Sequence, residues 1–415
     1  MIRFLTFPFS LLPFKVLHWM GKWVGSLAYY TFTHYRKRTL SNLALAKTLP
    51  LKDLKATAKA SMQNLAITLL EYPKLVFLKK NQKMLKCENP EVAQELINKK
   101  IGIIFFCGHQ ANWELLFLEG TQRMPGVAVG RPIKNRALYQ WILSIREKFG
   151  GKVVKPKETI KEGLRALKQG KFFGIVGDQA LPESSYSLDF FGRRAWTTPA
   201  PAILSYRTGC PIIVATIERQ RGRYTIHYSD PIWPNQNAPM EKEIDRMMQT
   251  SLKLLEDSIQ KRPEQWLWQH NRWKQETAEK VYYRYRWEAI LVILPKQFDL
   301  KALETLREIY PKAFITVCAP RNLLLPRIDV SIRYYDQEDD LFFIDYTFKI
   351  VFNFSGNKKL RSHFLKQSAF DVLDLATLKK RAHQNRPSFL ETNWSSLLKK
   401  VVMRPPPLLE TQHAP

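Results

Sequence analysis

The chain has 415 residues, of which 45% are hydrophobic and 25% charged, so its composition is that of a folded protein and excludes a largely disordered one. Its formal net charge is +28, from 65 Lys and Arg against 37 Asp and Glu, which predicts a polyanionic partner such as an anionic membrane, nucleic acid or a phosphorylated substrate. The four cysteines form no CxxC pair, which argues against a zinc module and a disulfide framework.

The amino-terminal segment, residues 1–33, is apolar and aromatic. It has no cleavage site of the signal-peptide kind, so we expect it to be retained. Because Lys15 and Lys22 interrupt it, there is no clean run of about 20 apolar residues, and the mixture of Phe, Trp and Tyr with Lys is typical of an interfacial helix. We predict a membrane-associated segment that either spans the bilayer or lies on it, followed at 34–38 by basic residues that suit either positive-inside anchoring or phospholipid headgroups. The alternative is a buried core helix.

A helix is predicted within residues 51–70, and from about residue 100 short apolar runs alternate with amphipathic stretches. This alternation predicts an α/β fold in three layers with a largely parallel central sheet. The predicted strands are 101–106, 127–129, 172–176, 211–217 and 223–228, and the predicted helices begin at 112, 137, 159, 200 and 241.

A second, smaller α/β domain is predicted over residues 281–404, after a first domain that spans 34–280. Its predicted strands are 289–294, 313–318, 330–334 and 350–354. The pattern is Rossmann-like, but neither glycine-rich phosphate-binding motif is present, so no loop supports a nucleotide-sugar role. Residues 405–415, which contain three consecutive prolines, are expected to form a loose tail.

A histidine and a glutamate lie five positions apart where the first predicted strand of the sheet turns into a helix. We expect Glu114, in the first helical turn, to accept the ring N–H of His109 and so to raise the basicity of the imidazole. No GxSxG motif supplies a nucleophile nearby, which favours direct attack by a substrate hydroxyl over an acyl-enzyme route. The alternative is a pair that only caps the helix.

Two further polar residues end predicted elements of the same sheet. Arg146 closes the helix that starts near Asn135, and Asp178 follows the strand 172–176. Sites in open α/β sheets gather at the carboxyl ends of strands, so both are candidate site residues. The alternatives are a helix-terminal cation facing water for Arg146 and a turn or cap residue for Asp178.

Five motifs occur in an order and at spacings that resemble one enzyme family. They are Gly108-His109-xxxx-Glu114, Gly130-Arg131-Pro132-xx-Asn135, Arg146-xx-Phe149-Gly150-Gly151, Gly177-Asp178-Gln179 and Pro263-Glu264-Gln265-Trp266-Leu267-Trp268. With the amino-terminal segment, they resemble the lysophospholipid acyltransferase superfamily, and within it the late lipid A acyltransferases of the lauroyl/myristoyl type. The resemblance covers roughly residues 1–275 and implies an acyltransferase core.

The resemblance implies a role for four residues. His109 is similar to the family's general base, and Glu114 to the partner of that base. Arg146 is similar to an essential arginine that stabilises charge at the acyl carbonyl or a phosphate. Asp178 is similar to an acidic residue that the family also requires.

The resemblance also implies substrates and a location. Arg131 and Asn135 are expected to contact the substrate, Arg131 at a phosphate. The donor would be an acyl carrier protein thioester and the acceptor a Kdo-bearing lipid A precursor, acylated at the 3-hydroxyl of a chain already in place. Neither a cofactor nor a metal is implied. The protein would lie on inner-membrane phospholipid at the cytoplasmic face of a bacterium.

Two alternatives remain. A glycerolipid acyltransferase shares the histidine chemistry but usually carries HxxxxD, and Glu114 favours the lipid A branch. A nucleic-acid-binding protein would account for the charge, but no nucleic-acid motif is present, so no such partner is expected. The family's typical members end soon after the Trp-rich block, whereas this chain continues for well over a hundred residues.

Overall fold

The fold is that of a computed structural model, which describes residues 2–80, 84–179, 185–385 and 393–404. The chain divides into two compact units, Met1–Arg272 and Trp273–Pro415, whereas the sequence predicted a boundary near residue 280. The predicted loose tail, 405–415, lies outside the described residues.

Four helices begin the first unit: α1 (Ile2–Leu11), α2 (Phe14–Thr31), α3 (Thr33–Ala46) and α4 (Leu54–Leu75). Helix α2 packs tightly on α4, because a Cβ at Gly21 or Gly25 would collide with the backbone of Ile67 or Gln63. One face of α2 is therefore buried, and the opposite face exposes large apolar side chains. Within the described residues, no helix is both long and apolar enough to cross a bilayer.

The rest of the first unit is built on a seven-stranded sheet. Its strands and those of a separate hairpin are β1 (Leu85–Glu88), β2 (Ile103–Cys107), β3 (Gly126–Val129), β4 (Lys152–Val154), β5 (Phe172–Val176), β6 (Tyr186–Phe190), β7 (Arg193–Thr197), β8 (Ile212–Gln220) and β9 (Arg223–Tyr228). The sheet order is β1-β9-β8-β2-β5-β3-β4, and all neighbours are parallel except β8 and β9. The predicted α/β fold with a largely parallel sheet is confirmed.

Six helices alternate with these strands, as the βα pattern of the sequence requires. They are α5 (Pro90–Asn98), α6 (Glu114–Arg123), α7 (Arg136–Arg146), α8 (Thr159–Lys168), α9 (Ala200–Thr208) and α10 (Met240–Lys261). The central strand β2 is almost wholly buried, which explains why its sequence is a continuous apolar run rather than an alternating one.

The second unit contains a five-stranded, all-parallel sheet with the order β12-β11-β10-β13-β14. Its elements are β10 (Ala289–Ile293), α11 (Lys301–Ile309), β11 (Phe314–Pro320), β12 (Ser331–Tyr335), β13 (Ile350–Asn353), α12 (Lys359–Leu365), β14 (Asp371–Asp374), α13 (Leu375–Asn385) and α14 (Trp394–Val402). This is the strand order of doubly wound folds. At its amino edge, Glu288 and Lys349 precede β10 and β13 and form a fully buried ion pair.

Candidate active site

The parallel pairing of β2 and β5 brings His109 and Asp178 together. Cys107 pairs with Val176 at the ends of the two strands, and His109 and Asp178 each lie two residues further on. Both side chains therefore emerge at the same carboxyl edge of the sheet. The Nδ1 atom of His109 lies 2.7 Å from Oδ1 of Asp178, and the backbone N–H of His109 donates to Oδ2 at 2.8 Å.

The Asp178 carboxylate is completely buried and is held in its charged form. The indole Nε1–H of Trp266 donates to Oδ2 at 2.8 Å, in addition to the bonds from His109. Burial opposes ionisation, but the His109 ring and these hydrogen bonds outweigh it and hold the pKa of Asp178 well below its ordinary value. An ionised carboxylate can only accept hydrogen bonds, so Nδ1 of His109 carries the proton and Nε2 is left to accept one.

The prediction that Glu114 accepts a hydrogen bond from the His109 ring is wrong. Glu114 is the first residue of α6 and is buried, but its carboxylate is bound by Arg146 from the end of α7. Nε and Nη2 of Arg146 donate to the two carboxylate oxygens at 2.7 and 2.5 Å, and the hydroxyl of Tyr72 donates at 2.6 Å. A planar guanidinium matches both oxygens at once, which a single ring N–H cannot do.

The Glu114–Arg146 pair is fixed in its charged form. Burial disfavours the Glu114 carboxylate, but Arg146 and the Tyr72 hydrogen bond lower its pKa below the ordinary value. Burial likewise opposes the charge of Arg146, yet Glu114 raises the pKa of the guanidinium. Gly130 leaves room for the same side chain, because a Cβ there would lie 3.3 Å from Nη1 of Arg146. Arg146 is thus a permanent, immobilised cation.

The two predicted substrate contacts lie between β3 and α7. Arg131 follows Gly130 and is exposed. Asn135 is the N-cap of α7, and its side chain accepts a hydrogen bond from the backbone of Leu138 at 3.0 Å. This cap explains the position of Asn135 in the motif without any substrate. Substrate contact by either residue stays a prediction.

The sequence analysis missed His270, which lies beside His109. The two rings have centroids 5.3 Å apart, and Trp113 contacts the His109 ring edge-on at 4.9 Å. Burial, reinforced by His109, lowers the pKa of His270 to about 4, so its ring is neutral near pH 7. Its position within the Trp-rich block, two residues after Trp268, was the available signal.

Behind the loop that carries His109 lies a buried carboxylate, Glu71 of α4. The side chain of Asn112 donates to Glu71 Oε2 at 2.8 Å, and Nε2 of His18 from α2 lies 2.5 Å from Oε1. Tyr224 and Arg219 approach the same carboxylate from β9 and β8. This network ties the amino-terminal helices to the segment between His109 and Glu114.

Acyl transfer through a protein thiol has no support at this site. Cys107, two residues before His109, is buried, and burial together with the Asp178 charge raises its pKa far above the ordinary value.

Among the residues that the structure describes, no group of three or more His, Cys, Asp or Glu side chains could hold a metal ion. The residues present are suited to proton transfer and to binding negative charge.

The chain is similar to known proteins over its first unit. The model of a family described as bacterial lipid A biosynthesis acyltransferases matches residues 2–275. Lipid A biosynthesis acyltransferase 2 of Shigella flexneri is 26% identical over 266 residues, which represent 61% of this chain and 81% of that protein. The matched region includes every residue of the candidate site, and it ends close to the division between the two units.

Proposed function

The chain belongs to the bacterial lipid A biosynthesis acyltransferase family, and we propose that it moves a fatty acyl group from an acyl carrier protein thioester to a hydroxyl of a Kdo-bearing lipid A precursor. Acyl transfer in lipid A synthesis follows from the family. We further propose that the acyl group is of the lauroyl/myristoyl type, that the donor is acyl carrier protein and that the acceptor carries Kdo. The observation that carries the mechanism is the His109 ring, held by the buried Asp178 carboxylate.

In the proposed reaction, Nε2 of His109 takes the proton from the acceptor hydroxyl as its oxygen attacks the thioester carbonyl. Asp178 keeps the proton on Nδ1 and stabilises the imidazolium that forms. Collapse of the tetrahedral intermediate breaks the carbon–sulfur bond, and the imidazolium returns the proton to the leaving thiolate. The products are the acylated lipid and the free carrier thiol, and His109 ends the cycle in its starting form.

We propose that Arg146 stabilises negative charge near the reacting centre. Glu114 occupies Nε and Nη2, so Nη1, which lies beside Gly130, is the atom proposed to meet the acyl carbonyl or an acceptor phosphate. Glu114 and Tyr72 act as positioning residues, because they fix the guanidinium before substrate binds. Exposed Arg131 is the proposed second contact to phosphate, and Asn135 the proposed contact beside it.

The proposed location is the cytoplasmic face of the bacterial inner membrane. Helices α1 and α2 expose large apolar side chains that can enter the headgroup region of phospholipid: Phe4, Phe7, Leu11, Val16, Trp19, Trp23, Leu27 and Tyr30. The net charge of +28 suits an anionic glycolipid and an acidic carrier protein.

The test is transfer by the purified full chain from acyl carrier protein thioesters of different chain lengths. Acceptors would be a Kdo-bearing lipid A precursor and, in parallel, a lysophospholipid. We expect transfer to the lipid A precursor, with the product identified by mass spectrometry and absent with His109→Ala. Transfer to the lysophospholipid alone would contradict the proposal and favour a glycerolipid acyltransferase.

A further inference from the structure

The first unit contains a broad groove apart from the His109 site. One wall is formed by α2 and α4, and the other by β1, β9 and the turn between β8 and β9. The turn reaches the start of α2, since a Cβ at Gly222 would lie 3.9 Å from Cβ of Phe14. The cavity volume is about 1530 Å³, which is large enough for a lipid headgroup. We call it the α2–β9 groove.

The lining of the α2–β9 groove is strongly basic. Six cationic side chains and one carboxylate, Glu264, line it; the cations are Lys15, Lys22, Lys86, Arg219, Arg221 and Arg223. Arg219 is buried in the floor and Lys86 pairs with Glu88. Among the residues that the structure describes, the other four form no salt bridge, and all four are exposed. Uncompensated cations around a concave surface favour an anionic ligand.

An exposed apolar stripe borders the groove along α2. Val16, Trp19, Trp23, Leu27 and Tyr30 recur every three or four residues, so they share one face of the helix. Trp19 also lines the groove, and its side chain and that of Trp23 are 67% and 65% exposed. Tryptophans beside lysines are typical of segments in the headgroup region, where rings lie among lipids and the ammonium groups reach phosphates.

We propose that the α2–β9 groove binds the phosphate of an anionic phospholipid headgroup while the α2 stripe enters the membrane surface. This inference rests on the membrane location given under the proposed function. The adjacent apolar stripe favours a lipid over an acidic protein. A membrane can accept the exposed tryptophans of the stripe, whereas an acidic protein would bind the cations of the groove without them. The stripe also favours a lipid over free phosphate, which would use the cations alone.

The floor of the groove is connected to the loop that carries His109. Gln265 lines the groove, and its carbonyl accepts hydrogen bonds from Asn64 at 3.1 Å and from the backbone of Ala111 at 2.7 Å. A headgroup in the groove would therefore lie against residues that support the catalytic loop. Attachment to the membrane and approach of a lipid acceptor would take place on the same unit.

The test compares two variants of the full chain with the same change of charge. Arg221→Glu/Arg223→Glu alters the groove, and Lys168→Glu/Lys242→Glu alters exposed residues outside it. Flotation with vesicles of phosphatidylcholine containing phosphatidylglycerol gives an apparent Kd for each. At roughly 1 kcal/mol for each basic residue near an anionic surface, the groove variant should bind at least about tenfold more weakly than wild type. The control should lose much less, and thermal melts establish that both are folded.

Three outcomes would overturn the proposal. Equal losses in both variants would mean diffuse attraction without a site. Binding of inorganic phosphate that is lost in the groove variant, together with vesicle binding that is the same in that variant and the wild type, would identify a free-phosphate site. Loss of acyl carrier protein binding with unchanged vesicle binding would identify a protein-docking site. Vesicle binding does not require transfer, so His109→Ala should bind like wild type. Absence of any vesicle binding by the wild-type protein would instead contradict the proposed membrane location.

Discussion

Each unit of the chain buries a carboxylate that pairs with a basic side chain at the ends of parallel strands, but the two pairs lie at opposite edges of their sheets. His109 and Asp178 follow β2 and β5, and the His109 side chain remains 20% exposed. Glu288 and Lys349 precede β10 and β13, and neither side chain has any exposed surface. A substrate can reach a partly exposed side chain but cannot reach an enclosed pair. Burial of charge therefore does not by itself indicate an active site, and access to solvent is the feature that distinguishes the two pairs.

The largest effect is expected for His109→Ala. Loss of the general base should lower kcat/KM for acyl transfer by about 10²–10⁴-fold, with a small change in melting temperature. The matched control is His227→Ala, which removes a partly exposed histidine that pairs with Glu88. Initial rates and thermal melts on the same preparations decide. Near-normal turnover in His109→Ala would exclude the proposed mechanism.

Lys349→Met should lower the stability of the fold and leave acyl transfer unchanged, the opposite of the effect expected for His109→Ala. It leaves the Glu288 carboxylate buried without its cation, which typically costs about 3–5 kcal/mol of unfolding free energy. The double variant Glu288→Leu/Lys349→Met should recover most of that loss, because it removes both charges. Denaturant unfolding measures the stability, and transfer per folded molecule should stay normal. Loss of activity without loss of stability would show that this pair is functional.

Arg146→Lys tests the role of the buried Arg146–Glu114 pair in the first unit. Lysine keeps the charge but cannot bind both oxygens of Glu114, so we expect transition-state stabilisation to fall by roughly 2–4 kcal/mol. Glu114→Gln should impair turnover less, because it preserves the arginine but weakens its support. Activity and melting temperature should be compared for both variants. Earlier unfolding with normal specific activity would reduce the pair to a structural role.

The smallest effect concerns acid stability. The pKa of Asp178 is depressed in the folded protein, so its ionised form adds stability above its unfolded pKa of about 3.9. That contribution is lost as the pH falls below roughly 4 and through the folded pKa. The stability difference between wild type and Asp178→Asn should therefore be constant at neutral pH and shrink in acid. Denaturant midpoints over a pH series measure it, and an advantage that grew in acid would contradict the assignment.

The sequence predicted most of the first sheet because buried parallel strands are continuous apolar runs. Phe172–Val176 and the helix Thr159–Lys168 were placed correctly. The hairpin of β6 and β7 was missed, since it lies outside the main sheet and its strands mix charged with apolar residues. Short strands such as Lys152–Val154 carry too few residues to show a period.

The sequence predicted candidate site residues but not the hydrogen bonds between them. The structure pairs His109 with Asp178 and Glu114 with Arg146, whereas Glu114 was assigned to His109 because the two are close in sequence. The true partner comes from β5, and a neighbour across a sheet cannot be deduced from spacing along one strand. His270 was missed for the same reason, because its chain position gives no measure of its distance from His109.

The tight packing of α2 on α4 determines which variants can test the proposed membrane attachment. Gly21 and Gly25 let α2 lie directly against the backbone of α4. From the same helix, His18 contacts the buried carboxylate of Glu71. Removing residues 1–33 would expose the apolar surface of α4 and leave Glu71 without His18. The amino-terminal segment is thus an integral part of the first unit, and its deletion would disturb the fold as well as any binding surface. Surface substitutions on its exposed stripe, such as Trp23→Ala, would test the proposed attachment while leaving the packed face of the helix in place.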